Sequence, residues 1–133
     1  MRIDGREIAR EIYAGLGRRP VPRARMVAVL IGGNAASVSF VTRKAAAARA
    51  LGVGFEIISF SGIEPQEIIE KSLASLAHDA SVGGIILQLP VPRIYDRDAL
   101  IRAIGTQKDV DNLSGLSSVL PPAVIAVQKV LAS

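Results

Sequence analysis

Three short aliphatic segments alternate with helix-forming segments along this chain of 133 residues, and this alternation restricts the fold more than any other feature. The aliphatic segments read MVAVLIG, FEIISF and GGIILQLP, with glycine or proline beside each. Runs of this length and composition are typical of strands that are buried on both faces. Because a helical segment leads from each strand to the next, we predict parallel strands joined by right-handed crossovers. The predicted fold is therefore α/β, with three αβα layers around a small, mostly parallel sheet.

Five helices are predicted around these strands. The pairing of Asp4 with Glu7 resembles a capping box and starts the first helix. Ser37 is expected to cap the second helix. The predicted ranges are 5–16, 37–51, 64–76, 96–104 and a last helix from 121.

The last helix has no glycine stop and no element after it, although it carries Val124, Val127 and Leu131. A helix with this apolar content is expected to pack on something. We therefore divide the chain into a domain over residues 1–120 and the start of an interdomain or docking helix over 121–133. A second copy of the chain is an alternative partner for the same helix.

Composition excludes several classes of site. The chain has no cysteine and a single histidine, His78, so no metal site is expected. No apolar run approaches the roughly 20 residues that a membrane helix needs. The net charge of +4 derives largely from GRRPVPRAR, which is more simply a solvated connector than a nucleic-acid-binding surface. A soluble cytoplasmic protein that binds neither membrane nor nucleic acid is the expectation.

One cation of the second predicted helix lies on its apolar side. At about 100° per residue, Lys44 shares a stripe with Phe40, Val41 and Leu51, whereas Arg49 falls on the opposite side. Burial of this stripe would partly desolvate the amine, and a readily deprotonated lysine can act as a general base. The pattern alone favours a simpler interpretation, in which the ammonium reaches the helix edge over an apolar stem.

Two further polar positions stand out. Gln88 lies inside the most hydrophobic run, and a buried amide without partners costs about 1–3 kcal/mol. It could orient a nearby amine or cap a neighbouring loop. Asp109 and Asp111 would point to opposite sides of an extended segment, and this spacing argues against a carboxylate dyad. One could accept N–H donors from a heterocycle while the other faces Lys108 or solvent, and an ordinary Asp- and Asn-rich turn fits equally well.

Three segments together resemble a known family: IGGNAASVSFVTRKAAAARALGV, GGIILQLPVP and KDVD. They are similar to the N-terminal catalytic domain of the bifunctional methylenetetrahydrofolate dehydrogenase/methenyltetrahydrofolate cyclohydrolase family. The resemblance covers nearly all of the chain, including the opening IDGREIA. It implies an amino-acid-dehydrogenase-like N-terminal domain that serves one-carbon metabolism. The family oxidises methylenetetrahydrofolate with NADP, or sometimes NAD, and hydrolyses the methenyl product to formyltetrahydrofolate.

The resemblance also implies roles for individual residues. Lys44 falls on the catalytic lysine, which reverses the preference stated above, and Gln88 falls on the glutamine that hydrogen-bonds it. Asp111 falls on the carboxylate that holds the pterin ring. Leu87 and Leu89 fall on positions that contact folate.

The sequence departs from the family in several places. Phe40 stands where the family has a tyrosine that stacks on folate, so the ring remains but its hydroxyl does not. After KDVD the chain reads NLS rather than glycine and a His-Pro pair, and PPAV replaces PCTP. A nucleotide-binding Rossmann domain with its glycine-rich phosphate loop is not recognisable. The resemblance therefore implies no cofactor binding by this chain alone, with a non-catalytic folate-binding or partner-docking domain as the alternative to an enzyme.

Overall fold

The computed structural model describes residues 3–132. Its sheet has three strands, β1 (Arg25–Ile31), β2 (Phe55–Phe60) and β3 (Val82–Leu87). The strand order is β2-β1-β3, and both pairings with the central strand are parallel. The predicted small parallel sheet is confirmed. β3 ends three residues earlier than the sequence predicts, because the chain turns away before Pro90, and proline has no N–H to donate.

Five helices accompany the sheet: α1 (Gly5–Gly17), α2 (Ala35–Ala50), α3 (Gln66–His78), α4 (Arg97–Ile104) and α5 (Pro122–Leu131). The prediction that Ser37 caps α2 is wrong. The helix begins two residues earlier, and the cap is Asn34, whose side-chain oxygen accepts the Ser37 N–H at 3.1 Å. Asparagine after two glycines was the signal for this start, since Asn is among the best N-cap residues.

Helices cover both faces of the sheet. On one face, Val27, Val29 and Ile31 of β1 belong to a buried cluster with α3 and α4. On the other, Ala28 and Ile86 pack with Val41 of α2. This alternation of side chains about the central strand gives the three predicted layers.

The two terminal helices lie outside these layers. α1 and α5 contact each other, and neither contains a buried residue in the described part of the chain. Ile12 and Leu16 of α1 are exposed, as are Val124 and Val127 of α5. The core therefore consists of the sheet with α2, α3 and α4, and the two terminal helices add an apolar surface beside it.

Candidate active site

Three polar side chains from distant segments meet beyond the carboxyl end of β3. The Lys44 ammonium nitrogen lies 3.3 Å from Oε1 of Gln88. The same nitrogen lies 3.6 Å from Oδ2 of Asp111. The structure thus brings together the three residues for which the sequence suggested catalytic roles.

The hydrogen bonds of Gln88 determine which way its amide points. Its Nε2 donates to the Leu89 carbonyl at 3.0 Å, which leaves Oε1 directed at the lysine. The Ser37 hydroxyl donates to the same carbonyl at 3.4 Å from inside α2. The Gln88 N–H donates to the Val29 carbonyl at 2.9 Å, so the residue is anchored to the central strand. Gln88 therefore presents its amide oxygen to the amine, and no pattern in the sequence indicated the contribution of Ser37.

Lys44 is accessible from solvent. Its side chain is 37% exposed and that of Asp111 is 21% exposed. The stripe on which Lys44 was predicted to be buried is split, because Val41 is buried whereas Phe40 is 56% exposed. Because Nζ contacts both Gln88 and Asp111, Lys44 does more than extend its ammonium over an apolar stem to the helix edge.

The segment that carries Asp111 is held beside β3. The Ile85 N–H donates to the Lys108 carbonyl at 2.8 Å, and Ile85 and Asp109 form an isolated parallel bridge. A Cβ on Gly84 would lie 2.5 Å from a methyl carbon of Val110, so this close approach requires glycine. The segment does not stay extended as the spacing argument assumed, because it turns after Asp109, where the Asn112 N–H donates to the Asp109 carbonyl at 3.2 Å.

Asp109 does not face Lys108 or solvent, so that part of the prediction is wrong. Its side chain is 2% exposed, and its two oxygens accept the N–H groups of Leu113 and Ser114 at 3.0 and 2.9 Å. Lys108 instead donates to the carbonyls of Leu76 and Asp79. The carboxylate closes the turn after Asp111 because a buried charge needs hydrogen-bond donors.

The predicted ring-contacting residues differ in exposure. Phe40 projects from α2 one turn before Lys44 and is 56% exposed, so its ring is available to a ligand. Leu89 is half-buried beside the site. Leu87 is 1% exposed and belongs to the buried cluster under α3 and α4. This burial argues against the predicted folate contact of Leu87, because its side chain offers no surface to a ligand.

The loop after β2 is stabilised by a carboxylate. Glu64 accepts the N–H groups of Ser61, Gly62 and Ile63 and the Ser61 hydroxyl. These donors, led by the Ser61 N–H, lower the pKa of Glu64 to about 2. The loop packs on the turn after β1, since a Cβ on Gly62 would lie 3.3 Å from the Cα of Gly32. Glu64 thereby shapes the rim of the sheet on which the site lies.

We expect Glu64→Gln to lower the melting temperature at pH 7. A carboxyl whose pKa is depressed in the folded protein stabilises it above the unfolded pKa, near 4.5, and this stabilisation disappears as pH falls toward 2. The melting-temperature difference between parent and variant should therefore shrink between these pH values, as measured by circular dichroism. A difference that is constant with pH would contradict the role given to the charge.

The turn after β1 does not have the form of a nucleotide phosphate loop. The turn Gly32–Asn34 is the nearest equivalent of a phosphate loop, but Asn34 itself caps α2 and Pro92 lies 3.4 Å from where a Gly32 Cβ would be. The turn is thus closed by its own chain, whereas a pyrophosphate needs open backbone N–H groups.

Residues 3–132 contain no cluster of three or more potential metal-ligating His, Asp or Glu side chains. Within the same range, no helix has the length and apolar character needed to cross a membrane.

Comparisons with known proteins identify the family. Residues 3–111 match the family described as tetrahydrofolate dehydrogenase/cyclohydrolase, catalytic domain. The bifunctional protein FolD of Acidiphilium cryptum is 39% identical over 112 residues, which is 82% of this chain and 40% of that protein. FolD of Mycoplasma pneumoniae is 33% identical over 132 residues, or 98% of this chain and 48% of that protein. The chain thus spans less than half the length of these relatives.

Solved structures show the same domain. The FolD enzyme of Campylobacter jejuni superimposes with a TM-score of 0.88 at 27% identity, covering 97% of this chain and 51% of that one. The Trypanosoma brucei enzyme, solved with an NADP cofactor and an inhibitor, gives 0.86 at 25% identity, covering 99% and 51%. In both, the match is to about half of the longer chain. The fold, the order of the motifs and the matched range together show that this chain belongs to the tetrahydrofolate dehydrogenase/cyclohydrolase family, whose catalytic domain it contains.

Proposed function

We propose that this chain is the folate-binding catalytic domain of an enzyme that oxidises methylenetetrahydrofolate to methenyltetrahydrofolate and hydrolyses the product to formyltetrahydrofolate. The observation that carries the proposal is the contact of the Lys44 amine with both Gln88 and Asp111 at the carboxyl edge of the sheet. Lys44, Gln88 and Asp111 would be the catalytic residues. Phe40 and Leu89 would complete the surface that binds the substrate.

The cyclohydrolase step needs a group that handles the proton of a water molecule. Water adds to the cationic methenyl carbon and loses one of its protons to solvent; as one carbon–nitrogen bond breaks, the other water proton passes to the released nitrogen. An accessible amine held by an amide oxygen can take the proton from water and return it. Because Gln88 fixes the amine while 37% of the lysine side chain stays exposed, a substrate and a water molecule can both approach it.

Asp111 would bind the pterin. A carboxylate accepts two parallel N–H donors, such as the amino group and ring N–H of the heterocycle. The same carboxylate contacts Lys44 at 3.6 Å in the present structure. Once the pterin binds to Asp111, this carboxylate would therefore no longer be the charged partner of Lys44 in the complex that reacts.

The dehydrogenase step depends on a nicotinamide cofactor, which accepts the hydride when it is bound. NADP is the proposed cofactor, with NAD as the alternative, and it would be supplied by a nucleotide-binding unit because the turn after β1 does not have the form of a phosphate loop. We propose that residues 1–120 form the folate-binding domain and that 121–133 begin the helix that docks this unit. The exposed apolar residues of α5 support this assignment, as does the contact of that helix with α1 outside the layers of the core. The alternative is that a second copy of this chain, rather than a nucleotide-binding unit, packs on this helix.

Calorimetry with a stable tetrahydrofolate analogue tests the proposal. The chain is titrated alone and in the presence of a separately produced nucleotide-binding domain from a family member. Binding that is lost in Asp111→Ala would support the folate site. Binding that appears only with the second domain would favour a docking role, whereas no binding in either case would refute the proposal. Sedimentation of the chain alone reports whether it forms a dimer.

Phe40→Ala is expected to weaken binding of the same analogue about tenfold, because the ring that stacks on the pterin is removed. Phe40→Tyr keeps the ring and should bind at least as well as the parent. Since Phe40 is 56% exposed, neither change should alter the melting temperature. Equal affinities of the alanine and tyrosine variants would contradict the stacking role.

A further inference from the structure

Lys108 begins the segment that carries Asp111, and its side chain reaches the C-terminal end of α3. Its Nζ donates to the Leu76 carbonyl at 3.3 Å and to the Asp79 carbonyl. At this end of a helix the last carbonyls lack partners within the helix, and a cation is favoured. Among residues 3–132 no carboxylate lies within 4.0 Å of this nitrogen, so Lys108 binds the helix end rather than a charged side chain.

The helix end that receives Lys108 is itself fixed to the sheet. One oxygen of the Asp79 side chain accepts the Ser81 N–H at 2.8 Å and the Ser81 hydroxyl at 2.7 Å, and the other lies 3.4 Å from Arg25. Arg25 is the first residue of β1, and its N–H donates to the Ser81 carbonyl at 2.9 Å. A side chain that binds the Asp79 carbonyl is therefore held at one height along the strands.

The backbone contacts of residues 108–111 do not by themselves determine their register against β3. Those contacts are a hydrogen bond from the Ile85 N–H and an isolated parallel bridge between Ile85 and Asp109. Every residue except proline can supply the same backbone groups, so a slip of two residues would preserve both contacts. If the slip lengthened the connection after α4, it would cost little in loop entropy.

Such a slip would change the chemistry at the site. Asp111 would move down the strand, and Leu113 would take its place beside Lys44. Val110 would stand where Lys108 is, and a valine side chain cannot donate to the carbonyls of the helix end. Only the observed register therefore combines the hydrogen bonds at the end of α3 with a carboxylate beside the amine.

We propose that Lys108 is a positioning residue of this site: by binding the carbonyls at the end of α3, it fixes the register of residues 108–111 and so places Asp111 beside Lys44. Its effect on the substrate rests on the proposed function, because Asp111 is the group proposed to bind the pterin. The register itself is measurable without a ligand. The two effects are therefore tested separately.

NMR of the isotope-labelled chain reads the register directly. In the parent, the Ile85 amide proton should show an NOE to the α-proton of Asp109, the residue opposite it. In Lys108→Met this NOE should weaken, and an NOE to the α-proton of Asp111 should appear. Lys108→Arg retains a cation with several N–H donors and should restore the parent pattern. Lys71→Met removes an exposed lysine from α3 and is the matched control.

Binding of the stable tetrahydrofolate analogue, measured by the calorimetry described above, is the second readout. Lys108→Met should weaken binding about tenfold, because the carboxylate that receives the pterin N–H groups is displaced in part of the molecules. Lys108→Arg should bind nearly as well as the parent. If Lys108→Met does not fold, Lys108→Gln, whose side chain is shorter and uncharged, is measured by the same two methods.

A parent register in Lys108→Met would overturn the proposal, as would a changed register with unchanged affinity. Loss of the Asp109 NOE without a new NOE to Asp111 would indicate general loosening of the segment and would also overturn it. Absence of analogue binding by the parent, with and without the nucleotide-binding domain, counts against the proposed function. The NOE comparison then still decides whether Lys108 sets the register.

Discussion

Lys44→Met is expected to hydrolyse methenyltetrahydrofolate at least about a hundredfold more slowly than the parent chain, because general acid–base catalysis by a positioned group contributes at least that factor. Methionine preserves the length and the apolar stem but can neither accept nor donate the proton. The rate is followed by the loss of methenyl absorbance, with the chain alone and with a nucleotide-binding domain supplied separately. The uncatalysed rate in the same buffer is subtracted.

Lys71→Met is the matched control for this experiment. Lys71 is an exposed lysine on α3, away from Gln88 and Asp111, and its loss should leave the rate unchanged. Since Lys44 is 37% exposed, its substitution should not unfold the protein, which circular dichroism verifies. Equal rates above background for the parent and Lys44→Met would remove the amine from the mechanism.

Asp109→Ala is expected to lower the free energy of unfolding by about 2–6 kcal/mol. The carboxylate is 2% exposed and accepts two backbone N–H groups, each of which would be left without a partner at a cost of about 1–3 kcal/mol. Urea denaturation at pH 7 measures the change. Asp109→Asn retains one acceptor oxygen and should have an intermediate effect.

Glu11→Ala supplies the comparison for this measurement. Glu11 is exposed on α1, and surface substitutions of this kind usually change stability by less than about 0.5 kcal/mol. If Asp109→Ala were no more destabilising than Glu11→Ala, the turn after Asp111 would not depend on the buried carboxylate. The position of Asp111 beside Lys44 would then need another explanation.

The parts of the fold that depend on local pattern were predictable from sequence. The strands follow from their aliphatic runs, and Asp96 correctly marked the start of α4, where its side chain accepts two N–H groups. The contact of Lys44 with Gln88 is one of the two alternatives that the sequence left open for this buried amide, which could orient a nearby amine or cap a neighbouring loop. Family resemblance then added Asp111 to the pair.

The parts that depend on where a carbonyl or turn lies were not predictable. The Leu89 carbonyl is the shared acceptor for Ser37 and Gln88, and no side-chain pattern reports the direction of a carbonyl. Asp109 and Asp111 have the same chemistry, and only the turn that begins at Asp109 buries one carboxylate and places the other beside Lys44. Likewise, Leu87 and Leu89 are alike in sequence, and only the packing of the sheet buries Leu87 completely and leaves Leu89 half-buried.

The strand order also bears on how the protein is made. The central strand is the first of the three to be synthesised, and both neighbours that pair with it follow later in the chain. Until residue 87 has left the ribosome, the MVAVLI segment lacks one of its two partners and presents an unpaired, uncharged aliphatic edge. Such an edge is prone to self-association. The yield of folded protein in cells should therefore depend on chaperones that bind nascent chains. This dependence should be greater than the stability of the folded domain alone would predict.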